Sequence, residues 1–368
     1  MKILVKVLAA WALIGGVAHA GDAETRRMTF PNAASGALVL PVDLHTHSVF
    51  SDGHVWPSVR VWEAERDGLA AYAVTEHIEY QPHRADIPHP DRNRSYELSK
   101  SLAKPDLLVI PGAEVTRSMP PGHVNAVFIA DANKLLVDDA EASLKEANDQ
   151  GAFVFWNHPY WHAQRPSGVA ELTDMHRDLI AKKLLHGIEV ANGPDLSEEA
   201  LTIALQNNLT ILGTSDVHEL VDWDYDVPGG GHRTVTLVLA QEKSLPAIKA
   251  ALQAGRTVAW YKSFLIGREA HVADVVRGAL TMTVADPLAN TAVTPVTLAN
   301  SSPADLVLRN VSNASFYDGA DIVTVPARGQ ITLLLKATPK PAEARLRFEA
   351  LNTWIAPRRH LAFDIAPR

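Results

Sequence analysis

The chain contains no cysteine. This excludes disulfides, thiolate nucleophiles, iron–sulfur clusters and sulfur-ligated zinc, so any metal must be held by His, Asp and Glu. A basic surplus is also missing. The net charge is −8, which leaves no excess of positive charge for a phosphate backbone, so polymeric nucleic acid is not an expected partner. No Gly-rich phosphate loop, dinucleotide fingerprint or Gly-x-Ser-x-Gly elbow occurs. Past residue 20 no run is apolar enough to span a bilayer. With 47% apolar and 21% charged residues over 368 positions, the composition is that of a globular chain with room for two domains.

Residues 1–20 have the pattern of an export leader. Lys2 and Lys6 give a positive start, Val7 to Ile14 an apolar run too short to cross a membrane, and Ala18-His19-Ala20 a small-residue cleavage site. Cleavage after Ala20 takes the net charge from −8 to −10 by removing Lys2 and Lys6 and no acid. The expectation is a periplasmic or secreted protein with no transmembrane segment after cleavage. Neither charge nor pattern sets an oligomeric state.

From Ala37 to Tyr261, short apolar runs alternate with helical stretches. Trp56 to Asp67 has helical spacing and stops at Gly68, Glu141 to Asn148 stops before Gly151, and Ser197 opens a capped run ending near Asn207. Strand–helix alternation predicts a parallel sheet, and seven or eight such units point to a closed barrel, with an open doubly wound sheet as the alternative. After about Gly267 helical signals stop. Short strands at intervals of roughly ten residues predict a small all-β sandwich. The expected domains are residues 21–266, an α/β barrel, and residues 267–368, a β-sandwich.

Of the 16 histidines, 13 fall between His45 and His232. His45 and His47 are two apart at the end of the first strand, so they face the same way. Asp52 lies in the loop beyond. Glu76-His77 ends the second run, Glu114 follows the third, His123 opens the fourth, His158 ends the fifth, and Asp216 and His218 repeat the two-apart placement after the seventh. In a parallel barrel the carboxyl ends of the strands share one rim, where active sites form. Structural histidines would scatter over both ends.

In order and spacing, these segments closely resemble the polymerase-and-histidinol-phosphatase (PHP) family of metal-dependent phosphoesterases, from about Val39 to Tyr261. The resemblance implies a distorted (β/α)7 TIM-like barrel with two or three divalent ions, Mn²⁺, Zn²⁺ or Fe²⁺. It implies one ion on His45, His47, Glu114 and Asp216, a second on the bridging Glu114 with His123 and His158, and a third on Asp52, His77 and His218. Glu76 departs from the family, which usually has Asp there. The implied reaction is attack on phosphorus by a metal-activated water, whose pKa falls to about 7 in favourable sites. Glu114, Asp216 and His218 would take part in it.

Arg233, after the Gly229-Gly230-Gly231 stretch, is the first candidate for a phosphate clamp, with Arg117 and Arg165 behind it. His162 and His232 are candidate proton donors. Trp156, Tyr160, Trp161, Trp223 and Tyr225 could wall a substrate, although packing is the commoner role of such residues. The expected substrate is a small phosphate ester, with a lean to diesters because no dense arginine cluster awaits the extra charge of a monoester. Alternatives are a phosphomonoesterase, a carboxyl or amide ester hydrolase, a nuclease, which the net negative charge disfavours, and a non-catalytic metal- or ligand-binding module.

Overall fold

A computed structural model describes residues 28–367 apart from 318, 320 and 339–343. The leader expected over residues 1–20 lies outside the described residues. The first part of the chain runs β1 (Leu38–Asp43), α1 (Pro57–Asp67), β2 (Ala71–Val74), α2 (Arg94–Leu102), β3 (Leu108–Val115), β4 (Val124–Val127), α3 (Ala140–Asp149), β5 (Phe153–Trp156), α4 (Asp174–Ala181), β6 (Gly187–Asn192) and β7 (Asp195–Leu196). It continues through α5 (Glu198–Gln206), β8 (Thr210–Thr214), α6 (Val221–Tyr225), β9 (Val235–Ala240), α7 (Leu245–Gln253), β10 (Thr257–Tyr261) and β11 (Phe264–Gly267). Local signals fix several boundaries. Gly68 closes α1 in a left-handed conformation, φ 76°, and the Ser197 hydroxyl caps α5 at Ala200 N.

These strands curl into a distorted α/β barrel. β1, β2 and β3 are parallel, as are β5, β6 and β8. β4 runs against both β3 and β5, and β9 against both β1 and β10. The expectation of a wholly parallel barrel is corrected here. A parallel crossover needs about a dozen residues or more. Only residues 116–123 join β3 to β4, with no helix between, so β4 turns back. β8 has a backbone ladder with β6 alone. Its other side is sealed by threonines. Thr236 Oγ1 donates to Gly213 O at 2.8 Å and accepts from Gly213 N at 3.0 Å, and Thr257 Oγ1 donates to Ile211 O at 2.7 Å. A Cβ on Gly213 would meet Ala259 Cβ at 2.9 Å, so the close seam requires glycine.

The rest of the chain is α8 (Glu269–Ala279), β12 (Leu280–Val284), β13 (Thr294–Asn300), β14 (Leu306–Asn310), β15 (Ile322–Val325), β16 (Gly329–Leu335), β17 (Leu346–Ala350), β18 (Thr353–Trp354) and β19 (Leu361–Ile365). Sheets β12–β13–β16 and β15–β14–β17–β19 form the expected sandwich. α8 was not expected. Its buried Val272, Val275, Val276 and Ala279 follow helical spacing. The sandwich is not a loose appendage. β18 extends the barrel sheet by pairing with β11. One apolar cluster runs from Val39, Leu237 and Leu265 through Val276 to Leu298, Leu306 and Phe363.

Candidate metal centre

Where β1 ends, the chain stays extended, so His45 and His47 project to one side and both are buried. Thr46 pairs in parallel with Val217, and Asp216 N donates to His45 O at 2.9 Å. The two X-x-His pairs, His45/His47 and Asp216/His218, therefore lie side by side. His77 pairs in the same way with Glu114 on β3. His123 joins the same rim because β4 is antiparallel. In a parallel strand its position at the start would put it at the far end. Two of these residues carry left-handed backbone, His158 at φ 24° and Asp216 at φ 51°. Such backbone in non-glycine residues is strained and persists only where surrounding bonds hold it. Here His158 N donates to Glu189 Oε2 at 2.7 Å, and Asp216 is held by His45 O.

All nine expected ligand residues converge. Glu114 sits at the centre, fully buried. Its Oε2 is 3.3 Å from Nε2 of both His45 and His47 and 3.0 Å from His77 Nδ1. Its Oε1 is 2.9 Å from His123 Nδ1 and 3.7 Å from His158 Nε2. Asp216 Oδ1 is 3.1 Å from Nε2 of His45 and His47. Asp52 lies 3.3 Å from His77 Nε2 and 3.2 Å from His218 Nε2. Three groups have the compactness of ion sites: His45 with His47 and Glu114, His77 with Glu114 and His123, and His47 with Asp52, His77 and His218. The grouping differs from the family-derived one in detail. His77 stands between two groups, and His158 is more distant from Glu114 than His123 is.

Metal fits these residues. His47 Nε2, His123 Nδ1 and Asp52 Oδ1 are buried, and their close contacts to neighbouring ligand atoms lack hydrogen-bond geometry, which leaves them without a hydrogen-bond partner among the described residues, a costly state unless something else satisfies them. The charges agree. Burial is the largest influence on His45 and works to lower its pKa, but Asp216, Glu189 and Glu114 outweigh it and raise the ring well above its ordinary value. His218 is pushed up to about 9 by Asp52 and Asp216 against the opposing effect of burial. Burial, with the charges of His218 and His77, brings His47 down to about 4. Glu114 is likewise resisted by burial yet held well below the carboxylate range by His77, His45 and His123. Glu114 stays ionised, and His45, His77, His158 and His218 are shifted toward their protonated forms by the surrounding carboxylates.

Glu189 was not foreseen. It is buried in the middle of β6, with Oε1 2.8 Å from His45 Nδ1 and accepting from Thr214 Oγ1 at 2.7 Å. A carboxylate only accepts, so Nδ1 carries the hydrogen and Nε2 is left to face the centre. An acid between Ile188 and Val190 in an apolar strand is the signal that could have found it. Asn157 Nδ2 donates to Glu114 Oε1 at 2.9 Å. The Glu76 carboxylate accepts from Ser51 Oγ at 2.5 Å and Ser95 Oγ at 2.7 Å, and Ser51 Oγ is 3.2 Å from His47 Nδ1, while the Glu76 carbonyl accepts from Glu114 N at 3.0 Å.

Arg233 is not where a phosphate clamp must be. It is 1% exposed, bonds Asp67 Oδ2 at 2.8 Å and lies 3.3 Å from Asp43 Oδ2. Asp43 in turn accepts from Ser215 Oγ at 2.6 Å, next to Asp216. The catalytic role expected of Arg233 is therefore corrected. Closeness in sequence put it near the rim, but the acids at the ends of β1 and α1 draw its guanidinium inward, where it braces the turn below the ligands. Arg117 pairs with Glu79 and Arg165 with Glu171. His162 contacts Pro166 O, and His232 places both ring nitrogens on the carbonyls of Arg233 and Lys262. None of these is a proton donor or clamp at the centre.

Above the ligands opens a cavity of about 570 Å³, walled by Tyr80, Tyr160, Trp161 and Tyr225 with Asp195 and Asp224. Among the described residues no lysine or arginine lines it. Trp156, by contrast, is fully buried.

Comparison with known proteins agrees with this geometry. A family model described as an Ig-like domain matches residues 280–366. A crystal structure from Bacteroides vulgatus, a two-domain protein containing a PHP-like metal-dependent phosphoesterase, is 38% identical and covers 92% of this chain and 98% of its own, with a TM-score of 0.84. A metal-dependent phosphoesterase structure from Bifidobacterium adolescentis is 18% identical, covering 48% of this chain and 87% of its own, TM-score 0.36. A lesion-specific endonuclease from Pyrococcus furiosus is 16% identical, covering 67% and 62%, TM-score 0.43. At that distance neither bears on activity. No curated protein sequence matches. The chain belongs to the PHP-like metal-dependent phosphoesterases and carries an Ig-like domain over residues 280–366.

Proposed function

We propose that this phosphoesterase hydrolyses small phosphodiesters, using two or three divalent ions (Mn²⁺, Zn²⁺ or Fe²⁺) held by His45, His47, Asp52, His77, Glu114, His123, His158, Asp216 and His218. When bound, such ions supply positive charge for phosphoryl oxygens and acidify water at neutral pH. The chain's own residues do the rest. Glu114 turns one oxygen to each side of the centre, so it is suited to bridge two ions. Glu189 and Asn157 fix the orientation of His45 and Glu114. Tyr160 and Tyr225, kept neutral by burial, donate to the carbonyls of Asp195 and Ser215 and shape the wall.

The observation that carries the diester reading is the cavity lining. Among the described residues it holds no lysine or arginine, and it adds Asp195 and Asp224 to the ligand acids. The second negative charge of a monoester would meet repulsion there, while a diester carries a single charge. With Mn²⁺-reloaded protein, kcat/KM on bis-p-nitrophenyl phosphate should exceed that on p-nitrophenyl phosphate by about tenfold or more, the equivalent of about 1.4 kcal/mol. Faster monoester turnover would overturn it. Export to the periplasm or cell exterior belongs to the same proposal and rests on residues 1–20. Expression with and without those residues, followed by fractionation, tests it.

A further inference from the structure

A second cavity, of about 510 Å³, lies between the barrel rim and the Ig-like domain. Gly193, Pro194, Asp224 and Tyr225 line both cavities, so the two meet along a common wall. The Ig-like side supplies Pro303, Ala304, Asp305 and Ala327. On the barrel side, α6 presents Trp223, an indole 72% exposed. Deeper in, Trp260 is 3% exposed, stacks on His232 with ring centroids 3.7 Å apart, and has an Nε1–H without a hydrogen-bond partner among the described residues. A buried donor left unpaired is costly. His232 cannot answer it, because both its ring nitrogens face carbonyls.

We propose that this second cavity binds the alcohol portion of the substrate, and that this portion is a sugar or comparable polyol. The proposal rests on the phosphodiester reading of the neighbouring centre. The lining combines a flat exposed aromatic face at Trp223, carboxylates at Asp224, Asp226 and Asp305 that accept from hydroxyls, and a donor ammonium at Lys262. A sugar matches that mixture, having an apolar C–H face to lie on an indole and hydroxyls that both donate and accept. A hydrocarbon would leave the acids desolvated. A quaternary ammonium would suit the aromatics and acids, but it meets the Lys262 ammonium and has no acceptor to offer it. With its phosphoryl group over Glu114, a glycosyl phosphodiester would extend past Gly193 and Pro194 into the space the Ig-like domain closes. This gives that domain a part in substrate selection.

The test compares p-nitrophenyl phosphodiesters whose second group is methyl, hexosyl or choline, using full-length Mn²⁺-reloaded protein. The hexosyl ester should be favoured over the methyl ester by about tenfold in kcat/KM, the size of a well-stacked aromatic contact. In Trp223→Ala that preference should fall to about unity. Equal rates on hexosyl and methyl esters, a preference for the choline ester, or an undiminished preference in Trp223→Ala would overturn the sugar site. If no ester is hydrolysed, the phosphodiester reading fails on its own, and calorimetric titration with the uncharged methyl glucoside decides the cavity. Binding by wild type that Trp223→Ala loses supports the sugar site, while absence of binding by wild type, or binding kept by the variant, overturns it.

Discussion

Glu114 divides its two oxygens between His123 at 2.9 Å and the trio His45, His47 and His77 at 3.0–3.3 Å. A residue so placed is worth more than any ligand at the periphery. Glu114→Gln should lower metal content per chain more than His218→Ala, measured by metal analysis of the purified variants. Equal content in both would remove its central role. Glu189→Gln should leave the fold intact but weaken metal affinity by about 10–100-fold, the usual effect of losing the carboxylate that orients a ligating histidine. A competitive chelator titration reads this directly. Arg233→Ala should destabilise by about 3–5 kcal/mol, since it abandons two buried acids. Urea unfolding checks it, and unchanged stability with a large loss of kcat/KM would restore the clamp. The ligand set was legible at this scale because strand ends and two-apart spacing state direction. Arg233 and Glu189 were not, because their meaning depends on partners such as Asp67 and His45, which the sequence separates by 166 and 144 positions.

The elements explain why the barrel is distorted. β4 reverses for want of a crossover, and the reversal is what delivers His123 to the ligand rim. Its apolar run and histidine could be read from sequence, but its direction required noticing how few residues follow β3. The seam beside β8 was also hidden, because Thr236 and Thr257 act as surrogate backbone partners and look like ordinary strand threonines. α8 could have been found from Val272, Val275, Val276 and Ala279, whose helical spacing was overshadowed by the strand pattern that follows. Thr236→Val keeps the shape of the side chain and removes the hydroxyl serving both Gly213 N and Gly213 O. It should cost about 1–3 kcal/mol by leaving those groups unpaired. Stability within a few tenths of wild type, by the same unfolding assay, would mean that β8 is sealed by packing alone.

Across the whole molecule the barrel and sandwich share one sheet edge and one apolar cluster, so the Ig-like domain supports the barrel as well as walling the second cavity. The protonated histidines give the metal-free molecule a distinct pH signature. His218 has its folded pKa raised to about 9 from an ordinary 6.5. Its contribution to stability is therefore fully present below about pH 6.5 and is lost as pH rises through about 9, with His45, His77 and His158 shifted in the same direction. Metal-free protein should lose thermal stability over that window. Metal-loaded protein should not, because ligation needs the neutral rings. A Tm of chelated protein that holds or rises there would contradict the charge assignment. The most direct test of the account as a whole is the initial rate of bis-p-nitrophenyl phosphate hydrolysis as Mn²⁺ is titrated into fully chelated protein. Chelated protein should show no turnover, and the rate should rise with added Mn²⁺ and saturate at two or three ions per chain, a rise abolished by Glu114→Ala. Undiminished hydrolysis by the chelated protein, or by Glu114→Ala, would contradict it.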